Sequence, residues 1–194
     1  MEQICEDLPG QCCEGDSTLT DTEQGQIETI GHGIEAMSFN SYVVDFQGIY
    51  CQNILYFKEV AIYNLGEDSL AVYFPKMRIP QLDEKDDRQY QWTLRHHHKI
   101  PISFGDHSLN VSQLIPSSGL IYVKGDKKAR IVQKFNKNVV NLETLKCPSE
   151  VTNFCHMVCP FDRHNSLVNF PHCSLKRAYS YECWVKSNVL KTSE

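Results

Sequence analysis

The first 57 residues contain neither lysine nor arginine; the first cation other than histidine is Lys58. Residues 1–38 hold nine carboxylates, so this stretch carries −9 where the whole chain carries −5, which leaves +4 on the remainder. The same stretch lacks the periodic apolar residues of a core element. Polar, acidic sequence of this kind cannot bury enough surface to offset the entropy of ordering it. Residues 1–38 are therefore expected to form a disordered acidic tail ahead of a mildly basic body, 39–187, with a short tail at 188–194. A body charge of +4 tolerates a polyanion without requiring one.

No run approaches the roughly 18 apolar residues of a membrane span, which excludes a membrane-spanning reading. MEQICEDLPGQCC has no apolar signal core, so no secretory leader is expected and the chain reads as intracellular, cytoplasmic or nuclear. There is no Gly-rich phosphate loop and no convincing Ser/His/Asp set. Nine cysteines, an odd number without an export signal, point to reduced thiols or metal ligands and away from a disulfide framework. The Asn110-Val111-Ser112 sequon then carries no consequence.

What is present is a chain long enough for one domain with a substantial core. Three segments rich in β-branched and aromatic residues, SYVVDFQGIY, NILYFKEVAIYNL and SLAVYFP, predict a three-stranded meander. LDEKDDRQYQWTLRHHH predicts a helix stopped before Ile100-Pro101, and SLNVSQLI a second short one. GLIYVKG then reads as a buried strand, DKKARIVQKF as a helix with Ala129, Val132 and Phe135 on one side, and VVNLETL as a fifth strand. SEVTNFCHMV and HCSLKRAYSYECWVKSNVL have helical spacing, the second with Leu175, Ala178, Tyr179 and Cys183 as its apolar stripe. This order predicts an α/β fold, a mixed five-stranded sheet flanked by helices of the RNase H-like kind.

The strand VVDFQG raises the functional question. It carries Asp45-x-Gln47 after two β-branched residues. With HCSLKRA and the β/α order, it resembles the DEDDh 3′→5′ exonucleases. In that family four carboxylates hold two Mg²⁺ or Mn²⁺ ions that activate water and stabilise the leaving oxygen, while a His takes the proton. The resemblance puts Gln47 where the family has Glu, Ala129 where it has its second Asp, and Arg177 where it has its last. Asp45 and His172 remain, and Asp126 is the one nearby substitute. An amide is a poor anionic ligand, alanine is none, and guanidinium repels a metal ion. The resemblance therefore implies a pseudo-exonuclease without catalytic residues, Asp45, Gln47, Ala129, His172 and Arg177 being relic positions. A nuclease with a remodelled site and a pure protein-interaction domain are the alternatives.

The run His98-Lys99-Ile100-Pro101-Ile102-Ser103, then IYVKGDKKARIV and a Cys/His-rich last third, is also similar to the Maelstrom domain of the germline small-RNA pathway. That resemblance implies a zinc site on Glu59, Cys159, His164 and Cys173, and a role in small-RNA or mobile-element control. The spacing departs from the family, whose Cys-to-His gap is tighter, and no HMG-box segment is present. Independently of any family, Cys155, His156, Cys159, His164, His172 and Cys173 crowd into nineteen residues, a ligand density that suits tetrahedral Zn²⁺. Cys155, Cys159, His164 and Cys173 form a local alternative. Plain burial of small cysteines is the bland one.

Three weaker features complete the reading. His96-His97-His98 reads as a solvated helix end, because consecutive helical residues point about 100° apart. Trp92 and Trp184 read as core or half-buried residues. Lys124, Lys127, Lys128 and Arg130, with Lys134 and Lys137, form a basic patch that either faces solvent or contacts phosphates. The expected partners are single-stranded nucleic acid or proteins.

Overall fold

A computed structural model describes residues 40–149, 157–165 and 171–191. The predicted acidic tail, most of the SEVTNFCHMV helix, Cys155, His156 and the extreme C-terminus lie outside the described residues.

Three strands open the fold: β1 (Ser41–Cys51), β2 (Ile54–Asn64) and β3 (Ser69–Tyr73). Gln52 and Asn53, both at positive φ (51° and 63°), make the two-residue turn between β1 and β2 that matches the twist of paired strands. The Gln52 amide donates to Asp86 Oδ2 at 3.0 Å. Asp86 belongs to α1 (Glu84–His96), whose N-cap Asp83 accepts the Asp86 amide at 2.7 Å and whose acidic first turn complements the helix dipole. Next come α2 (Val111–Leu114), β4 (Leu120–Val123), α3 (Asp126–Val132), β5 (Val139–Asn141), a single 3₁₀ turn (Asp162–His164) and α4 (Ser174–Asn188).

The strand order is β3-β2-β1-β4-β5. β1 and β3 run antiparallel to β2, while β4 runs parallel to β1 and β5 parallel to β4. This is the predicted mixed sheet in the RNase H-like arrangement. The fifth strand is only three residues long, because Asn141 turns the chain by accepting the Gly125 and Glu143 amides. Among the described residues no helix is long and apolar enough to cross a membrane.

Period-two alternation divides β1 between two cores. Val44 and Phe46 face α2 and α3, against Val111, Ile115, Ala129 and Val132. Val43 faces α4 with Tyr122, Tyr181 and Val185. The inward stripe of α4 is Leu175, Ala178, Tyr181 and Val185, whereas Tyr179 and Cys183 sit half-buried at its edge. The predicted stripe was thus offset after Ala178.

One irregularity positions the site. Between Gln47 and Gly48 the pairing slips by one residue, so Gln47 opposes Glu59 and Gly48 opposes Phe57, with Lys58 bulged out. Phe57 therefore joins the α3 core while Glu59, two residues on, turns toward α4. Without the bulge the two would share a face. Gly48 permits it: a Cβ there would sit 2.5 Å from the Tyr56 carbonyl oxygen. The displaced Lys58 ammonium donates to the carbonyls of Ile102 and Phe104, and burial, with Lys76 adding, lowers its pKa to about 8.

Candidate functional site

Two polar clusters lie where α4 crosses β1 and β2. The first holds Glu59, Cys159, His164 and Cys173, all buried, with one ligand atom from each within 4.8 Å of every other. Glu59 comes from the bulged strand, Cys159 and His164 from the 3₁₀ segment, and Cys173 caps α4. Cys159 Sγ is 3.4 Å from His164 Nδ1 and 3.8 Å from Glu59 Oε1. Cys173 Sγ is 3.6 Å from Glu59 Oε1, and His164 Nδ1 is 3.5 Å from the same oxygen.

These four of the six spacings match the edges of a small tetrahedron, and the remaining two stay within 4.8 Å. Ligand bonds of about 2.3 Å for sulfur and about 2.0–2.1 Å for nitrogen or oxygen place donors roughly 3.4–3.8 Å apart. The surroundings orient the donors as an outer ligand shell does. His164 Nε2 lies 2.7 Å from the His98 carbonyl oxygen, so Nε2 carries the proton and Nδ1 faces the cluster. The Ser174 amide donates to Glu59 Oε2 at 2.8 Å, tying the carboxylate to the first turn of α4. Asn165 brackets the Cys159 backbone by accepting its amide and donating to its carbonyl. Lys176, also buried, donates to the His164 carbonyl at 3.1 Å.

The protonation of the cluster is shared. A hydrogen bond from Cys173 lowers Cys159 to about 6, with His164 adding to the effect against burial. Cys173 is raised in turn, first by Cys159 and then by burial. For His164 burial opposes the charge, but Cys159 and Glu59 outweigh it and raise the imidazole to about 9. This buried Glu/Cys/His/Cys group could hold a metal ion. The local alternative cannot be compared with it, since Cys155 lies outside the described residues.

The second cluster surrounds Asp45. Its carboxylate is fully buried, with Lys128 Nζ at 2.6 Å and Arg177 Nε at 3.6 Å. Arg177 also donates to the Tyr181 hydroxyl through Nε and Nη2, at 3.1 and 2.7 Å. Burial pushes Lys128 down, opposed by Asp45. Beside these cations His97 and His172 stack with ring centroids 3.9 Å apart. Burial, then His172, Lys128 and Arg177, lower His97 to about 4; burial and the same two cations lower His172. Gln47 is buried one alternation along β1. The α3 residue that meets Asp45 is Lys128. Ala129, the expected relic position, packs into the core instead.

The basic patch divides into separate environments. Lys127 and Arg130 are exposed, Lys127 with its ammonium 3.8 Å from the centre of the Tyr50 ring. Lys124 is buried and donates to the Cys147 carbonyl, and Lys128 is committed to Asp45, so neither stands on an open face.

The His-rich helix end departs from expectation. Only His96 and His97 retain exposure; His98 is fully buried, its Nδ1 accepting the Ile100 amide at 3.0 Å. Lys99, at φ 57°, reverses the chain here and lets Ile100 enter the core. Trp92 is likewise more open than expected, at 58% exposure, against the rings of His96 and His97.

Comparison with protein-family models and with curated proteins finds no match to this chain.

Proposed function

We propose that this chain is a catalytically degenerate RNase H-like domain, a pseudo-exonuclease that binds single-stranded nucleic acid without cutting it, pinned by a structural zinc. The observation that carries the reading is the commitment of Asp45. A carboxylate that serves two divalent ions must present free oxygens to them. Here Lys128 bonds one oxygen at 2.6 Å, and the Arg177 guanidinium stands 3.6 Å from the other, which accepts no hydrogen bond among the described residues. The positive charge beside the carboxylate thus comes from side chains that perform no Lewis-acid step. Two thiols, an imidazole and a carboxylate favour Zn²⁺ over Mg²⁺ or Ca²⁺, because thiolate is a soft ligand. Glu59, Cys159, His164 and Cys173 would hold it, tying β2, the 3₁₀ turn and α4 together. A place in small-RNA or mobile-element control follows only from the resemblance to the Maelstrom domain.

A second reading, a remodelled nuclease, has one observation in its favour: the stacked His97–His172 pair beside two cations. Both imidazoles are held below their ordinary value, so at neutral pH the pair offers two bases and no acid. Binding is therefore preferred to cleavage.

The test is incubation of the full chain with end-labelled single-stranded RNA, with Mn²⁺ and with chelator. Salt-sensitive retardation without cleavage is expected. Cleavage in chelator that is lost on His172→Ala would establish the second reading. Neither retardation nor cleavage would make the domain a protein-binding module.

A further inference from the structure

Away from both clusters a groove of about 840 Å³ runs between the β1–β2 hairpin and α3. Its floor is apolar, formed among others by Leu55, Phe57 and Phe135. Lys127 and Arg130, one turn apart on α3, line it together with Lys134 in the turn that follows the helix. All three are exposed. A second hollow shares Met77, Asn110 and Val111 with the first and adds Lys76 and Arg78. Among the described residues Asp126 is the one carboxylate lining either hollow, and it accepts from Asn141 Nδ2 at 2.7 Å. The occupant such a surface fits is an acidic chain that also carries apolar side chains.

We propose that this groove is the docking site of the chain's own acidic N-terminal segment, residues 23–38. Charge is the first argument. Residues 1–38 carry −9, and Glu23, Glu28 and Glu35 alternate with Ile27, Ile30, Ile34 and Met37, the mixture the floor and rim require. Connectivity is the second. The segment joins the fold at Asn40, whose carbonyl lies against Gly119; a Cβ on Gly119 would approach that oxygen to 2.1 Å. The Gly119 carbonyl accepts from Asn136 Nδ2 at 3.1 Å, and Asn136 stands two residues beyond Lys134. The segment therefore enters beside the Lys134 end of the cationic face. Five residues reach at most about 17 Å and twelve about 40 Å, whereas the chain from Lys127 to Lys134, helical as far as Val132, rises only roughly 10 Å. Glu35 and Glu28 can thus span the whole face. A tether this short gives an effective concentration in the millimolar range, so weak pairing suffices. The docked segment occupies the face that an external polyanion would use. The inference does not require the groove to take RNA.

The experiment is zero-length carbodiimide coupling of the full chain at low salt, with the linked peptides mapped by mass spectrometry. Expected are intramolecular links from Glu28 or Glu35 to Lys127 and Lys134, several-fold above links to the exposed Lys85 and Lys146, and lost at 1 M NaCl, where the Debye length falls to about 3 Å. The triple variant Lys127→Glu, Arg130→Glu, Lys134→Glu should release the segment; the Glu28→Gln, Glu35→Gln variant should remove the links without touching the folded body. Uniform coupling to all exposed lysines would overturn the proposal. So would links found only between two copies of the chain. RNA retention plays no part in this readout. Because the docked segment and RNA would compete for one face, the RNA experiment is read on the Glu28→Gln, Glu35→Gln variant beside the full chain, so failure here leaves the proposed function standing, and the reverse.

Discussion

The Lys128 ammonium and the Asp45 carboxylate meet at 2.6 Å across 83 residues of sequence, the carboxylate fully buried and the lysine partly so. Such a pair is costly to break and cheap to replace, because removing one partner strands the other charge out of water.

Asp45→Ala is accordingly expected to destabilise the protein by about 3 kcal/mol in chemical denaturation, the low end for a buried pair because the lysine keeps some exposure. The double variant Asp45→Ala, Lys128→Met should recover much of that loss. A carboxylate belonging to a repelling metal site would behave oppositely, its removal stabilising the metal-free protein.

With zinc bound as proposed, its removal by a strong chelator is expected to lower the melting temperature by on the order of 10 °C. Cys173→Ala should melt at the lower temperature and show no further response to chelator. A chelator effect that persists in that variant would place the metal elsewhere.

Metal uptake should also release protons. At neutral pH the metal-free cluster holds a proton on His164, raised to about 9, and one on Cys173, also raised, while Cys159, lowered to about 6, is largely thiolate. Ligation needs both sulfurs deprotonated and a free lone pair on Nδ1, so calorimetry in buffers of different ionisation enthalpy should report about two protons released. Apparent affinity should fall toward acid and rise with pH, steeply until His164 loses its proton near 9 and less steeply beyond, where Cys173 still has a proton to give up.

Acid should unfold the protein through His98. Its folded value is lowered to about 3, chiefly by burial, against an ordinary 6.5. A base held neutral in the fold contributes stability above its unfolded value and loses it as pH falls from 6.5 toward 3. His98→Asn, which keeps an acceptor for the Ile100 amide, should flatten the melting-temperature profile across that window relative to the parent. An unchanged slope would assign the acid sensitivity to other groups.

Much of this architecture was legible in the chain. The five strands and the helices at 84–96, 126–132 and 174–188 announce themselves through local periodicity and turn chemistry. The convergence of Glu59, Cys159, His164 and Cys173 was anticipated from ligand types and a family resemblance, since a carboxylate on β2 has no local link to cysteines a hundred residues on. What the sequence hid were pairings between distant elements: Lys128 with Asp45, the His97–His172 stack, and the His98 carbonyl behind His164. One clue to the first was available. A lone aspartate in an otherwise apolar strand needs a cation, and GDKKAR offers one at the helix start facing that strand. His98 misled because its neighbours are solvated. The reversal at Lys99 that buries it depends on a backbone conformation that lysine does not advertise.

The most direct measurement of the central claim is metal content. The full chain would be equilibrated with both Zn²⁺ and Mn²⁺, desalted and weighed by native mass spectrometry. A single zinc per chain, absent from Cys173→Ala and unaffected by Asp45→Ala, together with no retained manganese, is the expected result. Manganese that is retained and then lost on Asp45→Ala would contradict the account, because it would mean that the carboxylate still serves a catalytic metal.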